Sequence, residues 1–178
     1  MENSFIVQFF RKWKEVGAVS PSSIFLIEDM LSQVDFDKAE LIVELGAGSG
    51  SFTRNILSRM RPNAKLVVFE INEAFVRKLS LIKDSRIAVI KDSAVNISKY
   101  LGSEKADYIV SGIPLSNLDM KTKVGIISGA KENLKLSGIF LQFQYFPESF
   151  SLLKRHFSIV KLKFTFLNPP PAFFYICR

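Results

Sequence analysis

The sequence predicts an α/β fold: a mostly parallel seven-stranded sheet covered by helices, with an antiparallel pair at one edge and a helical extension at the amino terminus. Three observations carry this. Short apolar runs of strand length alternate with helix-like segments along the chain. The first run, Leu41-Ile42-Val43, leads into the glycine-rich stretch from Glu44 to Gly50 and then a helix-like segment from Ser51 to Leu57. The last two runs are joined through Asn168-Pro169-Pro170-Pro171 with no helix between them, which predicts antiparallel neighbours.

In chain order, strands are expected at about 41–45, 65–70, 87–91, 107–111, 138–145, 157–164 and 172–177. Helices are expected at about 49–60, 72–82, 93–101, 119–135 and 147–155. Such alternation implies right-handed crossovers between parallel strands, with a ligand crevice across the carboxyl ends of the first strands. A further helix-like segment, Ser22 to Leu31, follows Gly17-Ala18-Val19-Ser20-Pro21 and is placed over that crevice. Residues 1–35 form the extension and 36–178 the main domain, with no repeat, low-complexity linker or second core.

Composition fits this reading. A chain of 178 residues with 48% hydrophobic content can bury a sizeable core. No secretory signal and no run of membrane-spanning length is visible, so a cytoplasmic location is expected. One cysteine, Cys177, allows no internal disulfide, and one histidine, His156, leaves neither zinc nor triad chemistry to build. The net charge of +7 is uneven: from residue 151 onward there is no Asp or Glu, while Lys154, Arg155, Lys161, Lys163 and Arg178 are basic. Such an edge suits RNA, DNA or an anionic membrane, or is a solvated face.

The glycine-rich turn carries the chemistry. Glycines at 46, 48 and 50 let backbone N–H groups approach a nucleotide-type ligand closely. Glu70, closing the run Leu66-Val67-Val68-Phe69 about twenty residues later, stands where an acid holds ribose hydroxyls in dinucleotide folds. The spacing is G-x-G-x-G rather than G-x-G-x-x-G, and Glu44 leads the turn. That carboxylate would repel a pyrophosphate and suits a cationic ligand, as S-adenosylmethionine is. The plainer alternative reads the glycines as turn punctuation and the acids as caps.

The pattern E-L-G-x-G-x-G, the acid ending the next strand and Asp92-Ser93-Ala94 ending the third resemble motifs of the Rossmann-like class I S-adenosylmethionine-dependent methyltransferases. The resemblance implies that Glu70 takes the ribose and Asp92 the adenine amino group, while Gly46, Gly48 and Gly50 shape the floor. It extends the cofactor contacts to Glu44, Ala47, Ser49, Ile71, Ser93, Ala94, Ser111 and Gly112.

At the amino terminus Phe5, Ile6, Phe9, Phe10, Trp13 and Val16 share one helical face opposite Gln8, Arg11, Lys12, Lys14 and Glu15. An amphipathic helix of this kind lies in a membrane interface or packs as core. The run Phe10 to Ser23, the motif Ser111-Gly112-Ile113-Pro114-Leu115, Gln142-Phe143-Gln144-Tyr145 and Asn168 to Ala172 together resemble the bacterial phospholipid N-methyltransferases. These small enzymes methylate phosphatidylethanolamine and its methylated derivatives. The chain is similar, more distantly, to the rRNA adenine dimethyltransferases. The lipid resemblance implies peripheral docking at the inner membrane face through Phe5, Phe9, Phe10, Trp13 and basic residues, with no obligate protein partner.

Enzymes that methylate a planar exocyclic amine place N/D-x-P-P/Y/F after the fourth strand, so that a polar side chain and a carbonyl hold the amine and a ring stacks the base. Here Ser111 to Leu115 has neither the leading Asn or Asp nor the ring, although Asn117 is near. Nucleic acid is therefore disfavoured as substrate, and Ile113, Pro114, Leu115 and Tyr145 are expected to line the acceptor. Tyr145, as catalytic candidate, would face a methylated ammonium and orient the amine, or is structural. No Asp, Glu or His stands out as a proton acceptor. Two alternatives remain: an rRNA adenine dimethyltransferase-like enzyme, and a noncatalytic adenosyl-ligand or lipid-binding module.

Overall fold

The computed structural model describes residues 21–165 and 171–178. The predicted amphipathic helix over residues 4–16, and Asn168 to Pro170, lie outside the described residues. The chain order is α1 (Pro21–Leu31), β1 (Leu41–Leu45), α2 (Ser51–Leu57), β2 (Lys65–Phe69), α3 (Glu73–Leu79), β3 (Ile87–Ile90), α4 (Ile97–Leu101), β4 (Ala106–Ser111), α5 (Met120–Glu132), β5 (Leu134–Gln144), α6 (Phe150–Lys154), β6 (Val160–Thr165) and β7 (Ala172–Cys177). Short 3₁₀ turns precede α4 and α6 and follow β4.

The seven strands form one sheet in the order β3-β2-β1-β4-β5-β7-β6. Pairings from β3 through to β5 are parallel. Strand β7 is the reversed one, inserted antiparallel between β5 and β6. The expected antiparallel edge pair is therefore present, with β6 outermost. The strand order reverses between β1 and β4, which opens the crevice at their carboxyl ends.

Every residue of β1 is buried, as a central strand covered on both faces requires. Ile42, Leu66 and Val68 point to a core closed by Leu26, Ile27 and Met30 of α1 and Ile56 of α2. Leu41, Val43 and Leu45 point to a second core closed by Ile97, Ile126, Ile127, Leu153 and Phe157. Helix α1 thus packs as part of the first core. Cys177 is buried, and burial pushes its thiol up to about 12, so it behaves as a small apolar residue.

The helices that follow β1 are shorter than expected by up to five residues, and β6 begins at Val160 rather than 157; two further differences have a local cause. The segment 93–101 is a 3₁₀ turn, Ala94–Asn96, followed by the five-residue α4, which Gly102 ends at φ +59°. Strand β5 begins at Leu134 rather than 138, because α5 stops at Asn133, whose amide donates back to Gly129 O at 2.8 Å. The pairing with β4 then jumps from Ala106–Leu134 to Tyr108–Ile139, so extra β5 residues bulge outward and Leu136 is fully exposed. Periodicity breaks at such a bulge.

Candidate active site

The site is built where β1, β2 and β4 end side by side. Gly46 N–H donates to Phe69 O at 2.8 Å and Gly112 N–H to Leu45 O at 2.9 Å, tying the three strand ends together. Gly46, Gly48 and Gly50 all adopt positive φ. A Cβ at Gly46 would stand 2.6 Å from Ile113 Cγ1, so the turn after β4 rests directly on the glycine loop. A Cβ at Gly48 would meet nothing within 4 Å, so the loop has open space above it there.

Glu70 closes the loop from β2. Its Oε2 accepts Gly48 N–H at 2.7 Å and its Oε1 accepts Asn72 N–H at 2.8 Å. A carboxylate has about four acceptor positions, so one remains on each oxygen, which fits the paired hydroxyls of a ribose. Ile71, beside it, is exposed and presents an apolar face. Asp92 after β3 is more fully engaged: it accepts Ser93 N–H at 2.7 Å, the Asn96 amide at 2.8 Å and the Tyr100 hydroxyl at 2.7 Å. The Tyr100 and Asn96 bonds, then Ser93, hold its carboxyl below the ordinary range, and about one acceptor position remains for an adenine amino group.

Glu44 lies beneath the loop, 2% exposed, and accepts the Thr53 hydroxyl at 2.7 Å. Burial pushes its carboxyl up to about 7; the Thr53 hydroxyl and N–H pull it down and the charge of Glu70 pushes it further up. A cationic ligand over the loop would draw this group back to its ionised form. The residues therefore fit S-adenosylmethionine, with Glu70 for the ribose, Asp92 and Ile71 for the adenine, and Glu44 with the glycine loop for the charged methionine end.

The residues expected to line the acceptor divide between the two faces of the sheet, Ile113 and Leu115 with the second core and Tyr145 with the first. Ser111 and Leu115 are buried, and Ile113 packs against the second core. Tyr145 is half-buried with its ring edge-on to Phe143, centroids 4.8 Å apart, on the face of the first core. Sequence reasoning missed Thr53 under Glu44, Arg54, which donates to Ser49 O at 2.8 Å, and Tyr100 on Asp92. The sequence assigns no role to Gln142 and Gln144, although polar residues at alternate positions of a buried strand are a signal. A groove of about 490 Å³ opens at the opposite, amino-terminal end of the sheet. Its Lys65 and Lys135 pair with Glu104 and Glu40 at 3.1 and 3.0 Å, while Arg61 and Lys105 donate to backbone carbonyls, and the cofactor motifs lie elsewhere.

The comparisons with known proteins agree with this geometry. The model of the ribosomal RNA adenine dimethylase family matches residues 22–128. An ornithine lipid N-methyltransferase of Singulisphaera acidiphila is 29% identical over 180 residues, spanning 98% of this chain and 94% of that protein. Among solved structures, the N-methyltransferase NodS of Bradyrhizobium japonicum, bound to S-adenosyl-L-homocysteine, superposes with a TM-score of 0.70 at 14% identity, covering 89% of this chain and 88% of its own. A putative rRNA methylase of Clostridium thermocellum gives 0.65 at 20% identity, covering 90% and 97%. The fold is that of the class I methyltransferases, and the chain belongs to the ribosomal RNA adenine dimethylase family, as an S-adenosylmethionine-dependent methyltransferase.

Proposed function

We propose that the protein methylates the primary amine of a membrane lipid at the bilayer surface, with phosphatidylethanolamine and an ornithine-lipid headgroup as the two candidate acceptors. The observation that carries this is the nearly end-to-end similarity to an ornithine lipid N-methyltransferase. The family match stops at residue 128, inside α5, and so covers the cofactor half but not β5 to β7, where Tyr145 lies. The apolar turn Ile113-Pro114-Leu115 favours a lipid over a stacked base. Leu162 and Phe164 are exposed on the basic strand β6, which suits an anionic surface. No helix among the described residues is long and apolar enough to cross a membrane, and docking is proposed through the aromatic face of residues 4–16.

S-adenosylmethionine, when bound, supplies an electrophilic methyl group. The chain's own residues contribute position and exclusion of water. The acceptor nitrogen would enter uncharged over Ile113 and Pro114; its lone pair would bond the methyl carbon as the methyl–sulfur bond breaks and its electron pair stays on sulfur, and the first two methylations would each shed one proton to solvent. Tyr145 lines this approach, its ring facing the cation that builds up with each methylation.

The family match favours a second acceptor, an RNA adenine. The test offers labelled S-adenosylmethionine in parallel to phosphatidylethanolamine vesicles, ornithine-lipid vesicles and unmethylated small-subunit rRNA. Label in either lipid supports the proposal and identifies the headgroup; label in RNA alone overturns it.

A further inference from the structure

The turn after β4 is held from below by two amides. Gln142 and Gln144 are two residues apart on β5, so they share a face, and both are buried. Gln142 Nε2 donates to Ile113 O at 2.9 Å and to Phe143 O at 2.7 Å. Gln144 Nε2 donates to the same Ile113 O at 3.2 Å. A carbonyl oxygen has two lone pairs, and here both are occupied. Ser111 Oγ, the neighbouring side-chain oxygen, is turned to Ile113 N–H at 3.4 Å. The arrangement carries a cost, because Gln142 Oε1 is buried with no hydrogen-bond partner.

The consequence concerns what this turn offers a substrate. An unoccupied carbonyl beside the reacting nitrogen binds an N–H and so grips an unmethylated amine best. An aliphatic amine loses one N–H with each methyl group and ends with none. A site that relied on such a bond would weaken its hold at every step and stall before the quaternary product. With the Ile113 carbonyl engaged by two glutamines, that carbonyl is not an acceptor whose loss would distinguish the successive substrates.

We infer that Gln142 and Gln144 are positioning residues that take the Ile113 carbonyl out of substrate recognition, making the acceptor site indifferent to how many methyl groups the amine already carries. This rests on the lipid-amine reading above and extends it to repeated methylation of one nitrogen.

Gln144→Met and Gln142→Met, near in volume and without donors, test it. Mono-, di- and trimethylated lipid are quantified over time by mass spectrometry, and affinity for S-adenosyl-L-homocysteine is measured in the same preparations. Expected is a fall in the rate of the last methylation relative to the first by roughly two- to ten-fold, the worth of one net hydrogen bond kept only by the unmethylated amine, with unchanged cofactor affinity. A merely structural role would lower all steps and cofactor affinity together. Should Gln142→Met not fold, Gln144→Met carries the test, since it loses only the 3.2 Å bond. Folded, cofactor-binding variants with the wild-type step ratio, or a wild-type enzyme that stops after one methyl group, overturn the inference while leaving the lipid reading intact. Wild-type label in RNA alone, or in no substrate, overturns both.

Discussion

The Thr53 hydroxyl, in the first turn of α2, donates to the buried Glu44 carboxylate at the end of β1 across 2.7 Å. This one neutral donor leaves Glu44 with an acidity near pH 7, because burial outweighs it. The folded chain therefore binds a proton more tightly at this site than the unfolded chain does. Its stabilising contribution is complete below the unfolded value of 4.5 and is lost as pH rises through about 7. The ligand-free protein should lose on the order of 3 kcal/mol of stability from this group between those limits. Glu44→Gln should flatten that part of the profile and be the more stable protein at pH 8. Denaturant unfolding across pH 5–8 measures both, and parallel profiles would refute the assignment.

Ligand binding should show the opposite preference. A cation over the loop favours ionised Glu44, so S-adenosylmethionine binding near pH 6.5 should release a proton, absent in Glu44→Gln. Calorimetry in buffers of different ionisation enthalpy detects it.

Glu70 is the strongest single anchor expected for the cofactor, with one free acceptor position on each oxygen. Glu70→Ala removes the ribose contacts and also the tie to Gly48 N–H. Charge-assisted bonds of about 1.5–3 kcal/mol predict a roughly ten- to hundred-fold weaker binding of S-adenosyl-L-homocysteine. Titration calorimetry checks this.

Two glycines of the same loop should respond differently to a methyl group. Gly48→Ala strains a backbone at φ +54° but enters open space, costing about 1–2 kcal/mol. Gly46→Ala adds a clash with Ile113 Cγ1 at 2.6 Å, a further 1–3 kcal/mol or so, and displaces the acceptor turn. Gly46→Ala should therefore lower both stability and turnover, whereas Gly48→Ala should retain the fold. Unfolding midpoints and initial rates separate the two.

Membrane docking predicts a blue shift of Trp13 fluorescence on adding anionic vesicles, reversed by salt as the Debye length falls from about 8 Å toward 3 Å. A signal that neither shifts nor resists aqueous quenchers places the helix elsewhere.

The α/β layering, the antiparallel edge pair and the row Glu44, Glu70, Asp92 were legible in the sequence. In a parallel sheet each strand ends at the same rim, so three acids at successive strand ends lie along one rim, whatever the packing details. Strand β7 needed only its Pro-rich approach and apolar run to be recognised, and its observed limits match those expected.

What the tertiary structure alone decided is who touches whom. Ile113 and Gln142 are 29 residues apart, and their contact exists because β4 and β5 pair with Ser111 opposite Gln142. Insertion of β7 between β5 and β6, and the bulge that starts β5 at Leu134, come from the same source. Periodicity reports which face of an element is apolar. Register and strand order select the partners of buried polar groups, and those are properties of the assembled sheet, in which each amide and carboxylate takes whichever donor or acceptor the neighbouring strand brings within 3 Å or so.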